Sequence, residues 1–223
     1  KRIAMGFVAV VACLPTVGVA QGEAGTAQRG PGIAQRGPGI AQRAMDPAQP
    51  GAERMVRKQV EVPAALEDVW RTWTTAAGVT SFFAPHAVVA ARVGGAFHVH
   101  IDPTAPAGLK GADDMRFMAL QAPTMLSFDW NAPPSLPWAR QQRTLVVVRL
   151  TSLGPQRTLV TLHHMGWGDG GEWDKAYAYF DRAWGQVLGN LQKRFVEGPI
   201  DWAPWLAQLK QWREAAEKRT VPP

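Results

Sequence analysis

Two histidines stand two apart in the run Phe97-His98-Val99-His100-Ile101. In an extended segment that spacing puts both imidazoles on one face, the arrangement by which paired histidines ligate zinc or copper. Phe97, Val99 and Ile101 occupy the other face and claim the core side. The histidines are therefore expected to point to solvent and to hold no metal. His164 is placed differently: it continues the alternation Val160, Leu162, His164 and should face inward. There it reads either as a buried ring satisfied by a neighbouring hydroxyl or carbonyl, or as a general base. Asp129, between Phe128 and Trp130, falls on the face opposite those rings and reads as a solvated carboxylate. The chain has no Gly-x-Ser-x-Gly elbow, no phosphate loop and no His-Glu-x-x-His pair, and no motif implies a cofactor. Its single cysteine, Cys13, excludes an intramolecular disulfide and a cysteine-built zinc site.

These residues lie on elements that the hydrophobic periodicity marks out. Of 223 residues 46% are hydrophobic and 19% charged, enough apolar side chain for one buried core and too much for a wholly disordered chain. Val56, Lys58, Val60 and Val62 alternate with Arg57, Gln59 and Glu61 as a strand with one buried face. Leu66, Val69, Trp70 and Trp73 follow at helical spacing within 64–75, and Gly78 breaks that helix before a short apolar segment ending Phe82-Phe83-Ala84-Pro85. Strands are expected at 88–93, 96–101, 115–120, 125–130, 144–151 and 158–164, punctuated by Gly94-Gly95, Pro123-Thr124 and Gly154-Pro155. A long amphipathic helix over 171–196 carries Trp173, Tyr177, Phe180, Trp184, Val187, Leu188, Leu191 and Phe195 on one stripe. An antiparallel sheet must cover one face, and this helix offers the long apolar surface to do it. The fold class is α+β: one strand, two short helices, six strands, and a long C-terminal helix gripped by the curved sheet.

The flanks differ in kind from this domain, which spans 54–198. Lys1 and Arg2 precede an apolar run from Ile3 to Leu14, about the length of a signal-peptide core and short of the roughly 20 residues a bilayer span needs. Residues 1–20 read as an export signal cleaved after Ala20, which makes the mature chain periplasmic or secreted with no transmembrane span. Val10-Val11-Ala12-Cys13 also resembles a lipobox, which would anchor the chain through Cys13. The unit Ala27-Gln28-Arg29-Gly30-Pro31-Gly32-Ile33 recurs at Ala34 to Ile40; Gly-Pro-Gly in each copy makes 21–53 a disordered linker. Residues 199–223 form a final amphipathic helix and tail, N-capped by Asp201, with Trp202, Trp205, Leu206, Leu209, Trp212 and Ala216 on one face. That face is expected to dock on its own domain or to pair two copies as a homodimer. Lys and Arg total 24 against 18 acidic residues, a net charge of +6, but they are scattered, so no nucleic-acid partner is implied.

The order of elements and their residues resembles the START-like, helix-grip superfamily (SRPBCC), and within it the domain named for activators of the heat shock protein 90 ATPase. The resemblance runs from about Arg57 to Phe195. It rests on Val62-Pro63-Ala64 with Val69-Trp70, on Thr74 and Phe82-Phe83-Ala84-Pro85, and on Val93-Gly94-Gly95-Ala96-Phe97. Leu126 to Trp130, Thr158 to His164 with Gly166-Trp167, and the helix beginning near Trp173 complete it. Thr75-Ala76 and Phe82 depart from the Asp-Pro and Trp usual in that family. The resemblance implies an elongated, mainly apolar cavity between sheet and last helix, used by relatives to bind lipids, sterols, hormones or polyketides, and by a minority for catalysis. On this sequence its lining falls to Trp70, Trp73 and Phe83, to Phe128, Trp130, Leu162 and His164 of the sheet, and to Trp173, Tyr177, Phe180 and Trp184 of the long helix. The expected function is binding of a small apolar ligand. A cyclase- or hydratase-like enzyme using His164, or a partner-binding module without ligand, are the alternatives.

Overall fold

A computed structural model describes residues 54–220; the proposed signal, Cys13 and the linker at 21–53 lie outside the described residues. The first strand, β1 (Val56–Val62), alternates buried and exposed residues and leads into α1 (Leu66–Thr74) and α2 (Ala76–Thr80). Then come β2 (His86–Val89), β3 (Phe97–His100), β4 (Gly111–Ala112), β5 (Phe117–Gln121) and β6 (Met125–Trp130). A short α3 (Pro137–Arg140) precedes β7 (Thr144–Gly154) and β8 (Arg157–Met165), and the chain closes with α4 (Gly171–Glu197) and α5 (Ala203–Thr220). The result is the expected α+β helix-grip fold.

All strand pairs are antiparallel, in a five-stranded sheet ordered β1-β8-β7-β6-β5 and a three-stranded one ordered β2-β3-β4. The two meet where Ala96 bridges Arg116 and where Phe117 N–H donates to the Gly95 carbonyl at 2.9 Å. The strand expected at 88–93 ends at Val89, because the chain turns through Arg92 to Gly95. Gly95 is required there: a Cβ at that position would lie 2.0 Å from the Ala90 carbonyl oxygen. Neither β4 nor α3 was expected, since two and four residues are too few to carry a period.

Helix α4 lies against β1 with Phe180, Trp184, Leu188 and Leu191 buried on one stripe. Facing them from the large sheet are Phe128, Trp130, Val146, Val148, Val160 and Leu162, all buried. Each such side chain contributes about 1.5–3 kcal/mol, so this layer holds the domain together. Helix α5 docks on its own domain. Trp202 Nε1 donates to the Thr80 carbonyl at 2.6 Å and Trp205 Nε1 to the Ile101 carbonyl at 2.8 Å. Arg213 pairs with Asp102 at 2.9 Å. The Asp201 carboxylate accepts from Ala203 N–H at 2.9 Å, the N-terminal cap expected of it. Among the described residues no helix is long and apolar enough to cross a membrane.

Candidate functional site

Strand alternation carries the inward side chains of β6 and β8 to the helix layer, and the aromatic residues meet there. Trp73, Phe83, Phe128, Trp130, Leu162, Phe180 and Trp184 belong to one core, with Trp70 and Tyr177 packed at its margin. Phe83 stands in the middle, with ring centroids 6.1 Å from Trp73, 5.8 Å from Trp130 and 5.7 Å from Trp184. At such distances edge-to-face and tilted rings touch, so nothing fits between those pairs. Trp173 sits apart in a smaller cluster with Ala132, Leu136, Ala139 and Ala176. Trp167, a residue the periodicity did not single out, joins the two by packing edge-on to Trp173 and Tyr177. Gly168 seats Trp173 closely, since a Cβ there would lie 2.2 Å from its indole nitrogen.

Trp73 holds the polar feature of this core. It is 0% exposed, and its Nε1 is the one buried side-chain nitrogen or oxygen without a hydrogen-bond partner among the described residues. Phe82, Phe83 and Phe128 surround it with rings and no acceptor.

His164 is fully buried, as its place in the alternation implies, and both ring nitrogens are engaged. Trp184 Nε1 donates to Nδ1 at 2.8 Å. Thr144 Oγ1 lies 2.7 Å from Nε2 and donates its own proton to the Trp130 carbonyl at 3.1 Å. Nε2 therefore carries the imidazole hydrogen and donates it to Thr144. Burial pushes the pKa of the ring down to about 3, so it is neutral and has no free lone pair with which to take a substrate proton. Its place is that of the satisfied buried ring, tying β6, β7 and β8 to α4.

Of the two histidines expected to face solvent, His98 is half-buried and His100 is buried. They share a face as expected, opposite the buried Phe97 and Val99, but His100 is only 9% exposed. Register places His86 of β2 directly across from His100, and the two Nδ1 atoms lie 2.8 Å apart. Asp129 is also not simply solvated: its carboxylate accepts from Arg116 N–H at 2.5 Å and lies 3.6 Å from Arg143. It supports the irregular register between β5 and β6. Among the described residues, no three or more His, Cys, Asp or Glu side chains gather as a metal cluster. A separate groove of about 530 Å3 runs between α1, α2 and the end of α4, lined by Asp68, Arg71, Thr72, Thr75, Arg194 and Phe195 among others. Its lining mixes charged and hydroxyl side chains with apolar surface, and no hydrophobic period signals it.

The family described as Activator of Hsp90 ATPase homolog 1-like protein matches residues 63–195. The chain belongs to that family. This family member is similar in fold to protein MLL2253 from Mesorhizobium loti, at 20% identity and a TM-score of 0.52 over 66% of this chain and 100% of that one. It is also similar to the Aha1 dimer from Colwellia psychrerythraea, at 16% identity and a TM-score of 0.50 over 65% of this chain and 97% of that one. DynU16, a protein in the dynemicin biosynthetic locus, is 22% identical with a TM-score of 0.50, over 66% of this chain and 49% of that one. No curated protein matches. The fold suggests a ligand-binding or Aha1-like module.

Proposed function

We propose that this family member is an exported protein that binds a small, mainly apolar ligand carrying one hydrogen-bond acceptor, held between the large sheet and α4. The observation that carries the reading is the Trp73 indole N–H, buried among aromatic rings with no acceptor. Leaving such a donor unpaired costs about 1–3 kcal/mol, and a ligand carbonyl or hydroxyl would recover it. The apolar body of the ligand gains about 25 cal/mol per Å2 of surface removed from water. Phe82 and Phe83 touch Trp73, so the ligand takes its place by displacing one of these rings. His164 does not act as a base in this reading; it is committed to Thr144 and Trp184.

The test is solvent extraction and mass spectrometry of protein purified without detergent from its native compartment. One apolar compound recovered in stoichiometric amount supports the binder. Protein that carries none, and that leaves the fluorescence of an apolar probe unchanged, sinks it in favour of a partner-binding module. Sequencing the N-terminus of the same sample tests export: a chain beginning near Gln21 supports it, and a cytoplasmic chain retaining Met5 and Phe7 overturns it.

A further inference from the structure

The small sheet presents a second arrangement, away from the aromatic core. His86 and His100 are paired Cα to Cα on antiparallel neighbours, so their side chains leave the same face and meet across the strands. Their rings lie within 11° of parallel, with centroids 4.9 Å apart, and Nδ1 faces Nδ1 at 2.8 Å. A contact of that kind needs one nitrogen with a hydrogen and one with a lone pair. We propose that the two Nδ1 atoms form a site for one divalent transition-metal ion of the zinc, copper or nickel type: the hydrogen now between them moves to Nε2 of the same ring, so both rings bind in neutral form through their Nδ1 lone pairs, and water completes the coordination.

The geometry is close to what an ion requires. Metal–imidazole bonds of about 2.0–2.1 Å set two adjacent ligand nitrogens about 3–3.4 Å apart, so the pair opens by about half an ångström at most, and both rings turn to aim their Nδ1 lone pairs at an ion seated beside the line between them. Imidazole suits these ions and binds them in its neutral form. His86 is exposed, which leaves a side open for the ion and its water. Asp113 adds negative charge without ligating, because its carboxylate already accepts from Gly108 N–H, Gly111 N–H and Arg140. Lys110 opposes the ion by its charge. The ring of His98 lies 6.2 Å from that of His100 and is tilted 34° to it, so His98 is a bystander and a control.

Calorimetric titration of the metal-free full chain with zinc and with nickel tests this directly. One ion per chain is expected, with His86→Ala and His100→Gln each weakening binding at least tenfold and His98→Ala changing it less than about twofold. Because His86 is exposed, its variant should stay folded with only a small drop in melting temperature, so lost binding there cannot be put down to unfolding. Copper bound to the parent should show two coordinated nitrogens by electron paramagnetic resonance. Absence of saturable binding, or binding that survives His86→Ala unchanged, overturns the site and leaves a hydrogen-bonded histidine pair.

Discussion

The molecule buries two imidazoles and commits them differently. His164, under α4, has a donor on one nitrogen and an acceptor on the other, both supplied by groups that do not titrate in the working range, Trp184 and Thr144. His100, on the small sheet, has another histidine for a partner, and that histidine is exposed. Burial lowers the pKa of both rings. What separates them is the lone pair: in His164 it is spent inside the core, whereas in the His86–His100 pair it is spent on a neighbour whose own hydrogen can move to Nε2, which frees both Nδ1 atoms for a cation. Burial alone does not mark a histidine as functional; the commitment of its nitrogens decides.

Substitution separates the two histidines most strongly. His164→Ala removes a buried ring and leaves the Trp184 N–H without an acceptor, so a loss of about 3–5 kcal/mol in urea unfolding is expected. His86→Ala removes one hydrogen bond at an exposed position and should cost less than about 1.5 kcal/mol. Equal losses at the two positions would mean that the networks are not distinct.

Acid supplies the next largest effect. His164 is neutral in the folded chain down to about pH 3, whereas in the unfolded chain it takes a proton below about pH 6.5. Between these values the unfolded state binds more protons, so stability rises with pH. This ring's contribution is intact above about pH 6.5 and is lost on acidification at about 1.4 kcal/mol per pH unit. Unfolding measured from pH 7 to pH 4 should show that slope in the parent and a shallower one in His164→Gln. A variant with the parent's slope would place the acid-sensitive group elsewhere.

The two imidazoles also differ in how far the sequence discloses them. The inward direction of His164 follows from the alternation with Val160 and Leu162, and the helix stripe that buries Trp184 follows from a 3.6-residue period. Those signals are local, and they carried the core of the fold: β6 begins and ends where expected, and α4 departs by one residue at its end. The pairing of His100 with His86 is not local. It depends on the register of two strands joined by a turn at Gly94-Gly95, and no period in either strand announces the partner. The separate seat of Trp173 is illegible for the same reason, since it is built by α3, whose four residues carry no pattern. Closeness of the rings around Phe83 depends on packing angles that residue types do not specify.

Helix α5 tests whether the two regions are independent. It is fastened to Ile101 and Asp102, directly after His100, and through Trp202 to Thr80. Trp205→Ala should therefore cost about 2 kcal/mol and raise hydrogen exchange at Ile101 and Asp102. It should leave the acid slope assigned to His164 untouched. Altered exchange along β8 would show that α5 steadies the large sheet as well.

The smallest effect on stability is expected at Trp73, and it bears most directly on the ligand. Trp73→Phe removes an indole N–H that has no acceptor, a gain of about 1–3 kcal/mol. It also leaves a gap where the larger ring stood, at a cost of similar size. The two offset, so unfolding should shift by less than about 1 kcal/mol in either direction. Binding should not be neutral. An apolar probe bearing a carbonyl should lose about threefold to tenfold in affinity, the value of one neutral hydrogen bond, whereas a probe of the same shape without the acceptor should lose little. An equal loss for both probes would mean that the ring's shape holds the ligand and the orphan N–H does not. A stability loss well above 1 kcal/mol would mean instead that the N–H is satisfied by the faces of Phe82 or Phe83, which lie at 68° and 87° to the Trp73 plane. The acceptor would then have to be dropped from the description of the ligand, and the aromatic core would differ from the histidine pair in having no open donor or lone pair to offer.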